Sequence, residues 1–242
     1  VLKILDTDNA VLLPEQIIEI FGNNNAVHQF LGFFEDKMPD SFPFLRELSQ
    51  SMTEMSQLNA SIKGILDETG EILDSASPKL KAIRSDMRAK ESELDRFFSK
   101  LLKKYKRMGL LAENAESIKY GRRVLSLPAE NKRKIDGIIH AESSSGKTIF
   151  MEPAEVTLLN NQLSELRIEE KNEIYRILRA LTSEIAPHQE ELYRNLDLLV
   201  QLDVLQAKAR LARSMHAIMP EIKDHAAFKA IQAKHPLLLV KN

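Results

Sequence analysis

Cysteine and tryptophan are both absent from this chain of 242 residues. Without cysteine there is no disulfide framework, no Cys-ligated zinc, no iron–sulfur cluster and no thiol nucleophile. The eight glycines are about half the share expected at an average near 7%, and prolines number nine and tyrosines four. Turns and strands are both starved by this composition, so long helices are expected. Apolar runs extend only a few residues, far short of the roughly 20 that span a bilayer, so no membrane partner is expected. No basic-then-apolar leader opens the chain, and the expected compartment is the cytoplasm.

What is present is the composition of a folded, soluble protein: 43% apolar and 29% charged residues. The net charge of −1 conceals a segregation. Residues 1–75 carry 4 basic and 13 acidic side chains, residues 76–147 carry 18 and 9, and residues 148–242 carry 12 and 13. A middle third this basic reads either as an electrostatic footprint for a polyanion or as a solvated helix face. The chain opens on Val1 within an apolar stretch and closes on HPLLLVKN, as a piece excised from a larger protein would. Leu237–Val240, just after Pro236, reads as a strand.

Residues 14–36 have a helical pattern, with Gly22-Asn23-Asn24-Asn25 expected to interrupt or kink it. A second helix is predicted from about Phe44 to Leu73. Ser77 and Pro78 read as the cap and first residue of a third, which Gly109 ends near Met108. Its seam, Leu80, Ile83, Met87, Leu94, Phe97, Leu101 and Met108, follows a coiled-coil spacing over about 48 Å. Residues 117–152 change character and predict three or four short strands separated by PAENK and SSSG turns. From Pro153 helix returns, along Val156, Leu159, Leu163, Leu166, Ile174, Ile177, Leu181 and Ile185. Pro187 breaks it, and a last helix runs from about His188 to Ile218. Its seam Leu192, Leu196, Leu199 reaches Asp203, read as a buried structural aspartate. The predicted fold is mainly α, long helices with a small β-rich insert between two of them.

Several tempting motifs fail on inspection. Ser145-Gly146-Lys147-Thr148 resembles part of a phosphate loop, but the position five before Gly146 is Ala141, and Ile149-Phe150-Met151 continues as strand where a helix is required. A hairpin turn carrying one lysine is the better reading. His140-Ala141-Glu142 opens like a zinc deaminase, whose downstream thiolates are missing. The six histidines are scattered, and no metal or cofactor site is expected in this chain. Ser143, Ser144 and Ser145 lack the glycine context of a nucleophile elbow and read as turn residues. No catalytic residue is expected.

The functional candidate is a set of seven cations in or near the β segment: Lys119, Arg122, Arg123, Lys132, Arg133, Lys134 and Lys147. Tyr120 is the sole tyrosine or tryptophan there, which argues against base stacking and for sequence-independent phosphate contact with a duplex. A solvated hairpin is the alternative, and these long side chains are expected to point to solvent.

At these residues the chain resembles the second branch of the bacterial MutS family, the MutS-like proteins without mismatch-reading N-terminal domains. The resemblance is carried by GEILDSASPKLKAIRSDMR, by the block from GRRVLSLPAENKRKIDGIIHAESSSGKTIFMEP to EEKNEIYRIL including Asn160-Asn161, by LDVLQAKARLA and by AKHPLLL. It covers roughly residues 65–240, with residues 1–60 matching only in helical character. The family often has Arg where this chain has Lys234, and an Ile-Arg pair where it has Ile118-Lys119; both exchanges keep the charge.

The resemblance implies a division into a helical core segment (1–75), an ascending lever helix (76–116), a β-rich clamp (117–152), returning lever and core helices (153–219) and the start of an ATPase domain (220–242). It implies a cytoplasmic, homodimeric, ATP- and Mg-dependent protein of the DNA repair and recombination-suppressing type, with a nuclease domain ending the full chain. Its expected partner is double-stranded or branched DNA, or in some members stalled ribosomes. This segment would supply lever and clamp and no chemistry. A helical dimerisation or ribosome-docking scaffold is the alternative, and a nucleotide-binding enzyme through Gly146-Lys147-Thr148 a third.

Overall fold

The computed structural model describes residues 2–7, 9–37, 42–226, 228–231, 233 and 235, the side chains of 34–37 excepted. The predicted strand at Leu237–Val240 and the position of Lys234 lie outside the described residues. Six α-helices and four strands follow one another among the described residues: α1 (Pro14–Lys37), α2 (Pro43–Ser51), α3 (Ser56–Ile65), α4 (Pro78–Arg107), β1 (Glu116–Lys119), β2 (Arg122–Pro128), β3 (Gly137–Glu142), β4 (Thr148–Pro153), α5 (Ala154–Ile185) and α6 (Gln189–Ser214). The mainly-α fold with a small β insert between two long helices is as predicted. No helix among the described residues is long and apolar enough to cross a membrane.

The chain divides into two compact units. One comprises Val1–Asp8, Glu15–Ala60 and Glu184–Asn242, the other Asn9–Pro14 and Ser61–Ser183. In the first, α1 runs unbroken through Gly22-Asn23-Asn24-Asn25, contrary to the expected kink. Ile17, Ile20 and Val27 are buried on one face of the helix, and the burial of these apolar side chains outweighs the roughly 1 kcal/mol intrinsic cost of one glycine. The helix predicted over 44–73 is instead two helices. The chain leaves helical geometry at Met52. There the Asn195 side chain of α6 accepts from the Thr53 N–H at 3.0 Å and donates to its carbonyl at 2.8 Å, satisfying the backbone that the break exposes. The second helix stops at Ile65 because Asp67 builds a turn, its Oδ1 accepting from the N–H groups of Thr69 and Glu71, with Gly70 at positive φ.

Asp203 is exposed, not buried. The buried face of α6 passes through Leu192, Asn195 and Leu198, one residue off the predicted Leu192–Leu196–Leu199 seam. That offset rotates Asp203 into solvent.

The second unit is built on α4 and α5. Ser77 caps α4 as predicted, accepting from the Leu80 N–H at 2.9 Å, and Gly109 ends it at φ +67°. Thirty residues at about 1.5 Å each make α4 about 45 Å long. The register of the polar pairs is antiparallel: Ser77 with Glu173 at 2.7 Å, Arg84 with Glu170 at 2.7 Å, Glu91 with Arg167 at 3.6 Å.

The predicted α4 seam holds as far as Leu94 and then shifts. Leu101 is buried as expected, but Phe98 and Tyr105 are buried where Phe97 and Met108 were expected. A straight helix has 3.6 residues per turn, so a strict 3.5-residue seam drifts off the buried face within a few turns.

The sheet sits at the end of the helix pair. All neighbours are antiparallel, in the order β1-β2-β4-β3. Leu125, Leu127, Ile149 and Met151 pack with Leu94, Phe98, Leu101 and Tyr105 of α4 and with Val156 and Leu163 of α5. Gly137 starts β3 because nothing larger fits: a Cβ there would stand 2.2 Å from the Glu152 carbonyl oxygen.

Candidate nucleic-acid interface

The seven candidate cations divide into two groups at opposite ends of β2, about 20 Å apart at about 3.3 Å per residue. Lys119, Arg122 and Arg123 lie at the β1–β2 hairpin, whose two-residue turn, Tyr120-Gly121, has positive φ at both positions. Lys132, Arg133, Lys134 and Lys147 lie at the other end. The Ala129 N–H donates to the Lys147 carbonyl at 3.0 Å, which joins the 129–134 segment to the 143–147 hairpin.

The strand arginines do not point freely to solvent, as the sequence led us to expect. Arg123 pairs with Asp95 of α4 and with Glu116 of β1, and its guanidinium lies 4.7 Å from the centroid of the Phe98 ring. Arg122 contacts both carboxylate oxygens of Glu152, at 3.0 and 3.2 Å, and donates to Asn161 at 2.7 Å. Glu152 is wholly buried and also meets Asn160 Nδ2 at 2.9 Å and His140 Nε2 at 2.5 Å. A buried carboxylate needs such partners, since desolvation would otherwise penalise its charge heavily. His140 reaches it because β3 carries a bulge between Ile139 and Ala141, which re-aims the extra residue. Lys119 lies over the Phe150 ring at 4.1 Å.

The second group is more open. Lys132, Arg133 and Lys147 are exposed, and no ion pair engages them among the described residues. Lys134 is exposed and donates to Asn131 Oδ1 at 2.9 Å. Their loop is held on both sides: Asn131, buried, donates to the Leu110 carbonyl at 3.2 Å, and Ile135 is in the core. Charges on a pinned loop lose little entropy when they meet a ligand.

Composition and spacing missed the network around Glu152. A signal existed: the apolar stripe Val156, Leu163 of α5 passes through Asn160, a polar residue at a buried helical position. Ser145-Gly146 is a hairpin turn, with the Gly146 N–H donating to the Ser143 carbonyl at 2.8 Å and β4 following directly. No helix follows Lys147, so these residues do not fit a nucleotide's phosphates. No group of three or more His, Asp or Glu that would hold a metal ion occurs among the described residues.

Fold and site define a class: a mainly helical protein in which an antiparallel helix pair ends in a four-stranded sheet with exposed cations at its far end. No family model matches the chain. It is similar to proteins named Endonuclease MutS2, being 34% identical to that of Geobacillus sp. (strain WCH70) over 229 residues and 94% of its own length. The corresponding protein of Brevibacillus brevis is 34% identical over 231 residues, and that of Shouchella clausii 35% over 231. The chain spans only 29% of the length of each of these relatives. The similarity extends further than residues 65–240, reaching well into the N-terminal helices that the sequence motifs alone left unmatched.

Proposed function

We propose that this chain is the core, lever and clamp portion of a MutS-like DNA-binding ATPase, and that its sheet contacts the nucleic-acid backbone. In this reading 1–75 is a helical core segment, 76–116 the ascending lever, 117–152 the clamp, 153–219 the returning helices and 220–242 the start of an ATPase domain. ATP and Mg would bind elsewhere in the longer, homodimeric, cytoplasmic protein. The observation that carries the proposal is the group Lys132, Arg133, Lys134 and Lys147, clustered by the Ala129–Lys147 hydrogen bond at the end of an arm about 45 Å long. Contact through phosphates is sequence-independent and salt-sensitive. Arg122 and Arg123, engaged within the fold, brace the sheet.

The test is fluorescence-anisotropy titration of the chain with linear and branched duplexes of unrelated sequence over a range of salt. Weak binding that falls with salt, equal across sequences and reduced in Lys132→Glu/Arg133→Glu/Lys147→Glu, supports the proposal. No salt-dependent binding, or binding indifferent to those charges, overturns it.

One observation favours the alternative of a dimerisation or ribosome-docking scaffold. Val200, Val204 and Leu211 of α6, and Ile218, Met219 and Ile222 beyond it, expose apolar surface. Sedimentation of the chain as a concentration-dependent dimer, without nucleic-acid affinity, would select that reading.

A further inference from the structure

The last turns of α4 carry Lys100, Lys103, Lys104, Lys106 and Arg107. A helix C-terminus attracts cations for its own sake, because its last carbonyls lack partners and the helix dipole is negative there. Here the backbone already meets that need. The Gly109 N–H donates to the Lys106 carbonyl at 3.1 Å, and the Leu110 N–H to the Tyr105 carbonyl at 3.1 Å. With Gly109 at positive φ, this closed pair is a Schellman cap. Among the described residues, Lys104 is the lysine of the last turn that is engaged, by Glu155 and the Tyr105 ring. Lys103, Lys106 and Arg107 are exposed and in no ion pair among the described residues.

The same helix end is tied to the candidate grip. Asn131 donates to the carbonyl of Leu110, three residues beyond Arg107, and Lys132 and Arg133 follow Asn131 directly. We infer that the C-terminal turn of α4 is a third part of the phosphate-binding surface, joining the 132–134 loop and Lys147. This rests on the reading proposed above and assigns it residues from a different element. Glu113, Glu130, Asp136 and Glu142 lie on the neighbouring segments, four carboxylates against the seven cations Lys103, Lys106, Arg107, Lys132, Arg133, Lys134 and Lys147. The ligand is the phosphodiester backbone of a duplex. Three separate elements track a rigid double strand better than a flexible single one, because the duplex holds its phosphates at fixed spacing.

The test compares three versions of the whole 242-residue chain on a 30-base-pair DNA duplex, the equivalent RNA duplex and single-stranded DNA. They are the wild type, Lys103→Gln/Lys106→Gln/Arg107→Gln, and a control that removes three exposed charges elsewhere, Lys81→Gln/Lys171→Gln/Lys208→Gln. All should retain the wild-type helical circular dichroism signal. Each cation withdrawn from a phosphate should lower the log–log salt slope by about 0.9. The α4 variant should therefore show a duplex slope shallower by about 2–3, with the control unchanged. DNA and RNA duplexes weakened alike indicate shared backbone chemistry, and a loss on one alone names the source. An unchanged slope in the α4 variant, while the loop variant Lys132→Glu/Arg133→Glu/Lys147→Glu still weakens, overturns this inference and leaves the proposed function standing. An equal loss in the control, or a loss confined to single strands, also overturns it. Absence of wild-type binding overturns both.

Discussion

Asn160 closes its side-chain amide on the backbone of Arg123, accepting from the N–H at 3.4 Å and donating to the carbonyl at 3.3 Å. The register that pairs Leu125 with Met151 would place Pro153 opposite Arg123, and proline has no N–H to give. Asn160 takes the place of the missing strand partner from the second turn of α5. Its Nδ2 also reaches the buried Glu152 carboxylate, so one buried amide serves the backbone of β2 and the charge of β4. Replacing it with leucine orphans several groups at once, each costing about 1–3 kcal/mol. Asn160→Leu should therefore lower unfolding free energy by about 2–4 kcal/mol in a urea titration monitored by circular dichroism. A loss under about 0.5 kcal/mol would show that the amide pairing is incidental.

Arg122 should prove irreplaceable by lysine. Its guanidinium meets both oxygens of Glu152 and, through Nη2, Asn161; an ammonium is a point charge without that fork. Arg122→Gln leaves a buried carboxylate short of its cation and should cost about 3–5 kcal/mol. Arg122→Lys should recover only part of it. If Arg122→Gln kept wild-type stability yet abolished duplex binding, the arginine would be a ligand contact and not a brace.

Glu173 gives the fold an acid-sensitive joint. Hydrogen bonds from Arg176, and then from Ser77, hold its carboxyl down to about 2 against the opposing effect of burial. A carboxyl whose pKa is lower folded than unfolded stabilises above the unfolded value, and that contribution is lost as pH falls. The window runs from about 4.5 down to about 2. The stability difference between wild type and Glu173→Gln should be constant above pH 5.5 or so and shrink through that window. A difference independent of pH from 6 to 3 would contradict the assigned hydrogen bonds.

The shift of the α4 seam can be read from two adjacent phenylalanines. Phe98 is fully buried and Phe97 is 39% exposed. Phe98→Ala should cost about 3–5 kcal/mol, and Phe97→Ala well under half of that. A reversed ranking in chemical denaturation would restore the strict heptad.

The sequence by itself determined whatever depends on neighbours along the chain. Ser77-Pro78 starts α4 and Gly109 ends it, the four strands fall where β-branched and aromatic residues cluster, and Ser143–Gly146 turns a hairpin. These rest on local dihedral preference and capping, which are written in a few consecutive residues. Partners distant in the chain were decided by tertiary structure alone. Asn195 reaches Thr53 across 142 positions and breaks what periodicity reads as one helix. Arg122 and Arg123 find Glu152 and Asp95, 30 and 28 positions away, and are drawn out of the solvent where composition alone would leave them. The burial of Ile17, Ile20 and Val27 carries α1 through a glycine and three asparagines, and a one-residue rotation of α6 leaves Asp203 in water. In each case propensities of at most about 1 kcal/mol per residue are overruled by burial and by the cost of leaving polar groups unpaired. Those energies exist only once the elements have packed.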